Sequence, residues 1–179
     1  MLLLKRFTFK HYYFMELIPL FLKEFEAEVL ITRNMLSRIP DDKYDWQPHA
    51  KSMTIRSLAT HIADLPGWVH MVLTTDELDF ATAPYNPATI HTTKDVLEMF
   101  EQRVADGRSQ LISENEPKLL GSWTLRAGET IHFVNTKSET IRVSLSQLIH
   151  HRAQLGVFLR LLDVPIPGSY GPSADETWV

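Results

Sequence analysis

The sequence predicts an all-α fold: a four-helix bundle with a small β-hairpin before the last helix. Four segments repeat apolar residues at intervals of three, four or seven, which places those residues on one stripe of a helix. The connections between the segments hold most of the prolines, glycines and asparagines, which interrupt helices. Because facing helices bury such stripes against one another, these segments are expected to form a bundle.

The first two helices are defined by their stripes and by nearby prolines. The first covers about residues 16–38, and Pro40 stops it. The second covers about residues 54–74, with Thr54 as the expected N-cap. Since Pro66 lacks an N–H and precedes a glycine, we expect a kink in the middle of the second helix.

The second half of the chain is predicted to hold two more helices and the hairpin. After a loop at residues 76–91, Thr92 and Asp95 have the spacing of a capping box and open the third helix. Two short runs rich in β-branched and aromatic residues then flank a glycine-containing turn at residues 126–129, which predicts the hairpin. The fourth helix covers about residues 138–162.

Composition excludes several classes of protein. Asp and Glu outnumber Lys and Arg by 22 to 18, a net charge of -4, so we expect no nucleic-acid partner. Cysteine is absent, which excludes disulfides and thiolate ligands and is compatible with a reducing compartment. Any metal site must therefore use nitrogen and oxygen atoms.

The N-terminal residues are expected to be an arm outside the bundle. The apolar run in residues 1–14 is too short for a secretory signal or a membrane span, so we expect a cytoplasmic protein without a membrane partner. The periodic pattern begins near Met15, which could equally be the start of translation. The length fits one domain, the bundle at residues 15–179.

Two histidines interrupt apolar stripes. His61 lies three residues after Leu58, and His151 lies three residues after Leu148, so each faces inward from its own helix. Inward histidines on two helices can converge on a metal ion. Gln147 precedes His151 by four residues and can reach the same ion. Imidazole nitrogen suits zinc, nickel, copper or iron, and three protein ligands with an open position are typical of catalytic metal sites.

Other interpretations of these residues stay open. A histidine on an apolar helix face is often a core residue satisfied by a neighbour. His150 lies on a polar strip with Gln147 and Gln154, where it is solvated, bonded to a glutamine or turned inward as a substitute ligand. No glycine-rich phosphate loop, nucleophile elbow or His-Glu-x-x-His motif is present, and no catalytic residue is assigned.

The fourth helix and the tail carry a resemblance to a known family. The segment His150-His-Arg-Ala-Gln-Leu155, followed by Phe158-Leu-Arg-Leu-Leu162 and Tyr170-Gly-Pro-Ser-Ala-Asp-Glu176, resembles the C-terminal signature of DinB-like proteins. Shorter pieces, Trp46-x-Pro48 and Leu58-Ala-Thr-His61, are similar to that family as well. The resemblance extends from about Met15 to Glu176.

The resemblance implies a four-helix bundle of the DinB and YfiT-like type, with a divalent metal, zinc or nickel, on three histidines. The first ligand falls on His61 and the last on His151, while the middle one falls on Gln147, where the family has histidine. The function implied is that of a metal-dependent hydrolase or thiol-dependent transferase acting on a small molecule or thiol, in a homodimer. The alternative is a non-enzymatic bundle that binds or oligomerises and keeps a degraded metal site.

Overall fold

The computed structural model describes residues 16–84, 86 and 88–177. The N-terminal arm predicted for residues 1–14 and the alternative start at Met15 lie outside the described residues. The helices of the described part are α1 (Ile18–Leu36), α2 (Ile55–Asp64), α3 (Gly67–Thr74), α4 (Thr93–Gln110) and α5 (Lys137–Leu161). Its strands are β1 (Glu77–Asp79), β2 (Ser122–Ala127) and β3 (Thr130–Thr136), and short 3-10 helices cover Asp41–Lys43 and Ser113–Leu120.

Side-chain caps fix where three of the helices begin. Thr54 accepts a hydrogen bond from the backbone N–H of Ser57, as expected for the N-cap of α2. Thr92 and Asp95 form the predicted capping box of α4. A second capping box, between Thr136 and Glu139, begins α5 one residue before the predicted start. These local signals explain why the helix boundaries were predicted closely.

The second predicted helix is two helices, so the expected kink is a break. Pro66 cannot donate to the carbonyl of Ile62, and a new helix begins at Gly67. Helix α4 passes very close to the break, because a Cβ atom on Gly107 would lie 2.4 Å from the carbonyl oxygen of Pro66. The described residues thus form a mainly helical fold with five α-helices rather than four.

The helices enclose one apolar core. Helix α1 packs against α4 and α5, and α2 and α3 pack against the same two helices. Most residues of the predicted stripes are buried, and the largest fully buried ones include Phe25, Leu58, Phe100 and Leu145. Burial of this apolar surface is the main contribution to the stability of such a fold.

A three-stranded sheet lies beside the helices. The predicted hairpin is confirmed as β2 and β3, which pair antiparallel around a turn where Gly128 has φ of 60°. The prediction of a loop at residues 76–91 was wrong for β1, which pairs parallel with β2. Three residues are too few to show an alternating pattern, and the partner strand lies more than forty positions away.

The C-terminal tail is irregular, as its turn-forming residues indicate. It is attached to the helices through Tyr170, whose hydroxyl donates to Glu28 of α1 and accepts from Arg152 of α5. Within the described part of the chain, no helix is both long and apolar enough to cross a bilayer.

Candidate functional site

The structure brings His61 and His151 together across the contact between α2 and α5. Their ring centroids are 4.6 Å apart, and the ring planes meet at 80°, an edge-to-face arrangement. Both side chains are half-buried. The inward placement predicted from Leu58 and Leu148 therefore produces the expected convergence of two imidazoles, while their role as metal ligands stays a prediction.

The surroundings of His61 favour its neutral form. Burial lowers the pKa of His61 below its ordinary value, and the proximity of His151 lowers that pKa further. The carboxylate of Asp64, one turn along α2, acts in the opposite direction. Because metal ions bind the neutral imidazole, a histidine whose pKa is depressed is available as a ligand at neutral pH.

Gln154 orients His151 and links it to His150. The Nδ1 atom of His151 lies 3.0 Å from Oε1 of Gln154, and Nε2 of Gln154 lies 3.1 Å from Nε2 of His150. If Oε1 accepts from a protonated Nδ1, the lone pair of His151 lies on Nε2, which is then the nitrogen that can bind a metal. The bond between His150 and a neighbouring glutamine confirms one of the interpretations of that residue.

Gln154 was not identified as a site residue from the sequence. Its spacing of three residues from His151 and four from His150 was the available signal, since both separations place side chains on neighbouring positions of one helix face.

Gln147 lies on the outer side of α5. It is exposed and lines a surface depression together with Arg142, Val143, Ser146 and His150. No hydrogen bond joins Gln147 to either histidine of the pair among the residues described. Its assignment as the middle ligand stays a prediction.

The donor set of the histidine pair fits a metal only in part. The two imidazoles are adjacent, one is held neutral and the other has its Nδ1 engaged, which suits nitrogen ligation. In residues 16–84, 86 and 88–177, however, no group of three His, Cys, Asp or Glu side chains is placed to hold an ion. A metal bound here would need a further ligand from another residue type, from solvent or from a bound molecule.

A cavity of about 580 Å³ opens beside His61. Its apolar wall comes from α3, α4, β1 and the segment after β1. Of the residues that the structure describes, His61, Asp64, Arg103 and Asn86 supply the polar side chains at the cavity. The volume lies within the range of small-molecule sites, about 300–1,000 Å³. On the other side of the pair, His151 lines a separate, smaller hollow with Gln154, Met53 and Phe158.

Comparison with known proteins identifies the family. The chain matches the model of the DinB family over residues 10–178. It is 24% identical over 160 residues to the uncharacterized protein YrdA of Bacillus subtilis (strain 168). The matched region covers 87% of this chain and 89% of YrdA.

Two solved structures share the fold. A DinB-like protein from Bacillus subtilis has a TM-score of 0.64 at 17% identity and covers 84% of this chain and 97% of its own. A DinB-like protein from Bacillus cereus has a TM-score of 0.64 at 19% identity, with 84% and 95% covered. At these identities the likeness concerns the fold alone. Because the family match spans nearly the whole sequence, this chain belongs to the DinB family.

Proposed function

We propose that this DinB-family protein binds a divalent metal, zinc or nickel, through His61 and His151, and that it is a metal-dependent hydrolase or thiol-dependent transferase. The observation that carries the proposal is the pair of imidazoles, 4.6 Å apart between ring centroids, of which His61 lines a cavity large enough for a small molecule. We also propose that the helices form a four-helix bundle in which α2 and α3 together take the place of the second helix.

The residues around the pair would perform distinct tasks. His61, kept neutral by burial, and His151, oriented by Gln154, would hold the ion. A bound divalent metal lowers the pKa of a coordinated water or thiol and so supplies a nucleophile near neutral pH. The apolar wall of the cavity would hold the substrate next to the pair and exclude water from it.

The second candidate function is a non-enzymatic bundle that binds a partner or oligomerises. The exposure of Gln147 favours it, because a side chain on the outer face of α5 is poorly placed to complete an internal site. Glutamine is also a neutral and weak ligand compared with imidazole. In this case the histidine pair would be the remnant of a complete site. We further propose a homodimer located in the cytoplasm.

Metal content separates the two functions. We expect purified protein to contain zinc or nickel, and His61→Ala and His151→Ala each to lose it, as measured by elemental analysis after dialysis against a weak chelator. His70→Ala is the matched control, since His70 is an exposed histidine on α3. Equal metal content in the wild type and both site variants, with unchanged helical circular dichroism, would contradict the proposal.

Two further variants test the ligand on α5. Gln147→His should tighten zinc binding if Gln147 reaches the ion, because it restores the imidazole that the family has at this position. His150→Ala should leave binding unchanged, since the ring of His150 is exposed and bonded to Gln154. If His150→Ala abolishes binding and Gln147→His has no effect, the assignment of Gln147 is wrong.

A further inference from the structure

The wall of the cavity beside His61 is formed by large apolar side chains that the fold leaves half-buried. Trp68 and Met71 come from α3, Met99 from α4, and Leu78 and Phe80 from β1 and the residue after it. Trp68, Met71, Leu78 and Met99 each pack on the core with one side, and all five side chains line the cavity. Such a concave apolar wall binds the hydrocarbon or aromatic part of a ligand.

Arg103 is the one cation at this cavity among the described residues, and the fold fixes its position closely. The aliphatic stem of Arg103 crosses Gly67 at the start of α3, where a Cβ atom would lie 2.8 Å from its Cδ. One turn later on α4, Gly107 allows the close approach to Pro66. Nε of Arg103 donates to Asp64 of α2 at 2.9 Å. The break between α2 and α3 therefore makes room for a guanidinium that bonds to Asp64 at the cavity lined by His61.

The guanidinium of Arg103 is only partly used by the protein. Arg33 and Arg108 each direct both Nε and Nη2 to one carboxylate, Glu101 and Glu26 respectively. Arg103 instead binds Asp64 through Nε alone, and its Nη1 lies 3.7 Å from Asp106. Among the described residues, neither Nη atom donates a hydrogen bond. A guanidinium held at one edge presents its remaining N–H groups to a carboxylate or a similar anion.

From these observations we propose that the cavity binds a small molecule with an apolar, aromatic-sized body and one anionic group. The body lies against Trp68, Met71 and Met99, and the anionic group pairs with the Nη atoms of Arg103. As an assignment of substrate class, this inference rests on the function proposed above. As an assignment of a binding site, it depends only on the cavity and Arg103, so it is tested without metal.

A pair of fluorescent probes tests both halves of the proposal. The anion 1-anilinonaphthalene-8-sulfonate and the neutral N-phenyl-1-naphthylamine share an aromatic body and differ in the sulfonate. Both are titrated into full-length protein in EDTA. We expect Arg103→Met to weaken binding of the sulfonate by about tenfold or more, the effect of losing a charge-assisted hydrogen-bonded pair, and to leave binding of the neutral probe within twofold.

Matched variants separate the contact from general charge effects. Arg108→Met removes an arginine of the same helix whose carboxylate partner is Glu26, and should leave binding of both probes unchanged. Because Arg103→Met leaves Asp64 unpaired, the double variant Asp64→Asn with Arg103→Met restores the local charge balance. The double variant should still bind the sulfonate weakly. Met71→Gln introduces a side chain of similar size that is polar, and it should weaken binding of both probes by the same factor.

A change in the cavity wall places the probe in this cavity. Trp68 lines the cavity, so Trp68→Ala, which removes apolar surface there, should weaken binding of both probes as measured by directly excited probe emission. The proposal is overturned if the wild type binds neither probe, if both probes bind equally in wild type and Arg103→Met, or if Trp68→Ala leaves the affinity for both probes unchanged.

The metal measurement is independent of the probe measurement. Sulfonate binding that depends on Arg103, in a protein whose metal content does not depend on His61, would support the ligand site and reject the metal function. Metal content that depends on His61, in a protein that binds both probes equally well with and without Arg103, would support the metal function and reject the ligand site.

Discussion

The buried ion pair between Arg152 and Glu28 gives a quantitative prediction about stability. Nη1 of Arg152 lies 2.5 Å from Oε2 of Glu28, and the two side chains are 3% and 6% exposed. The same Nη1 donates to Thr32 at 3.1 Å, and Nη2 donates to Tyr170 at 2.8 Å. This network joins α1, α5 and the C-terminal tail next to His151.

Arg152→Met should destabilise the protein by about 3–5 kcal/mol, because it leaves the carboxylate of Glu28 buried without its cation. For a domain of this size, each kcal/mol lowers the midpoint of thermal unfolding by about 2–4 °C, so the expected fall is about 6–20 °C. Replacing both partners should be milder, since no buried charge remains. The double variant Glu28→Gln with Arg152→Met is therefore expected to be more stable than Arg152→Met alone.

The chain supplies a matched control for this measurement. Arg142 and Glu24 also join α5 to α1, but their side chains are 54% and 31% exposed. Exposed pairs contribute about 0–1 kcal/mol, so Arg142→Met should shift the midpoint by no more than a few degrees. Urea unfolding followed by circular dichroism, at one protein concentration for all variants, gives the free energies of unfolding.

Two results would refute this reasoning about the buried pair. One is an Arg152→Met protein as stable as Arg142→Met. The other is a double variant whose destabilisation equals the sum of those measured for Arg152→Met and for Glu28→Gln alone, because the coupling between the partners would then be zero.

Three further predictions concern His61, Gln154 and self-association. Burial holds the pKa of His61 below its ordinary value of about 6.5, so the unfolded chain binds more protons just below that pH and stability falls as pH drops through this window. Urea unfolding in EDTA at pH 7.5 and at pH 5.5 gives the loss of unfolding free energy between the two pH values, and His61→Asn should make this loss smaller. If the loss is the same in the variant and in the wild type, the environment described for His61 is contradicted. Gln154→Leu should weaken zinc binding in calorimetric titrations, because it removes the acceptor for Nδ1 of His151. Gln154→Glu should strengthen zinc binding, because the acceptor becomes charged. Equal zinc affinities in the wild type and both variants would exclude Gln154 as the orienting residue. Light scattering at tens of micromolar should give twice the monomer mass, and a monomer would reject the homodimer.

The helices could be predicted because their signals are local. Thr92 and Asp95 are three residues apart, and the apolar stripes repeat within one turn or two, so a short window of sequence contains all the information needed. The hairpin was predictable for the same reason, since its two strands flank a turn of two residues around Gly128. Strand β1 depends on pairing with β2, a distant segment, and its three residues carry no pattern of their own.

The histidine pair shows how much of the candidate site can be predicted from the periodicity of apolar residues along a helix. An inward position on each helix was enough to predict that His61 and His151 would meet, because both helices face one core. The assignment of Gln147 as a ligand stays a prediction. Two residues that are four positions apart on a helix point in directions that differ by about 40 degrees around the helix axis. On α5 this difference places His151 in a half-buried position and Gln147 on the exposed face.

The cavity depends on contacts between segments, which is why the sequence did not indicate Arg103. Its guanidinium reaches Asp64 at the edge of the cavity because Gly67 and Gly107 permit a close passage of α4 over the break between α2 and α3. A proline and a glycine in a helical pattern were interpreted as a kink, a local defect. In the folded chain Pro66 and Gly67 form the break that leaves space for the guanidinium of Arg103 at the edge of an apolar cavity. In related sequences, a proline and a glycine that interrupt a helical pattern therefore indicate where to search for a binding site.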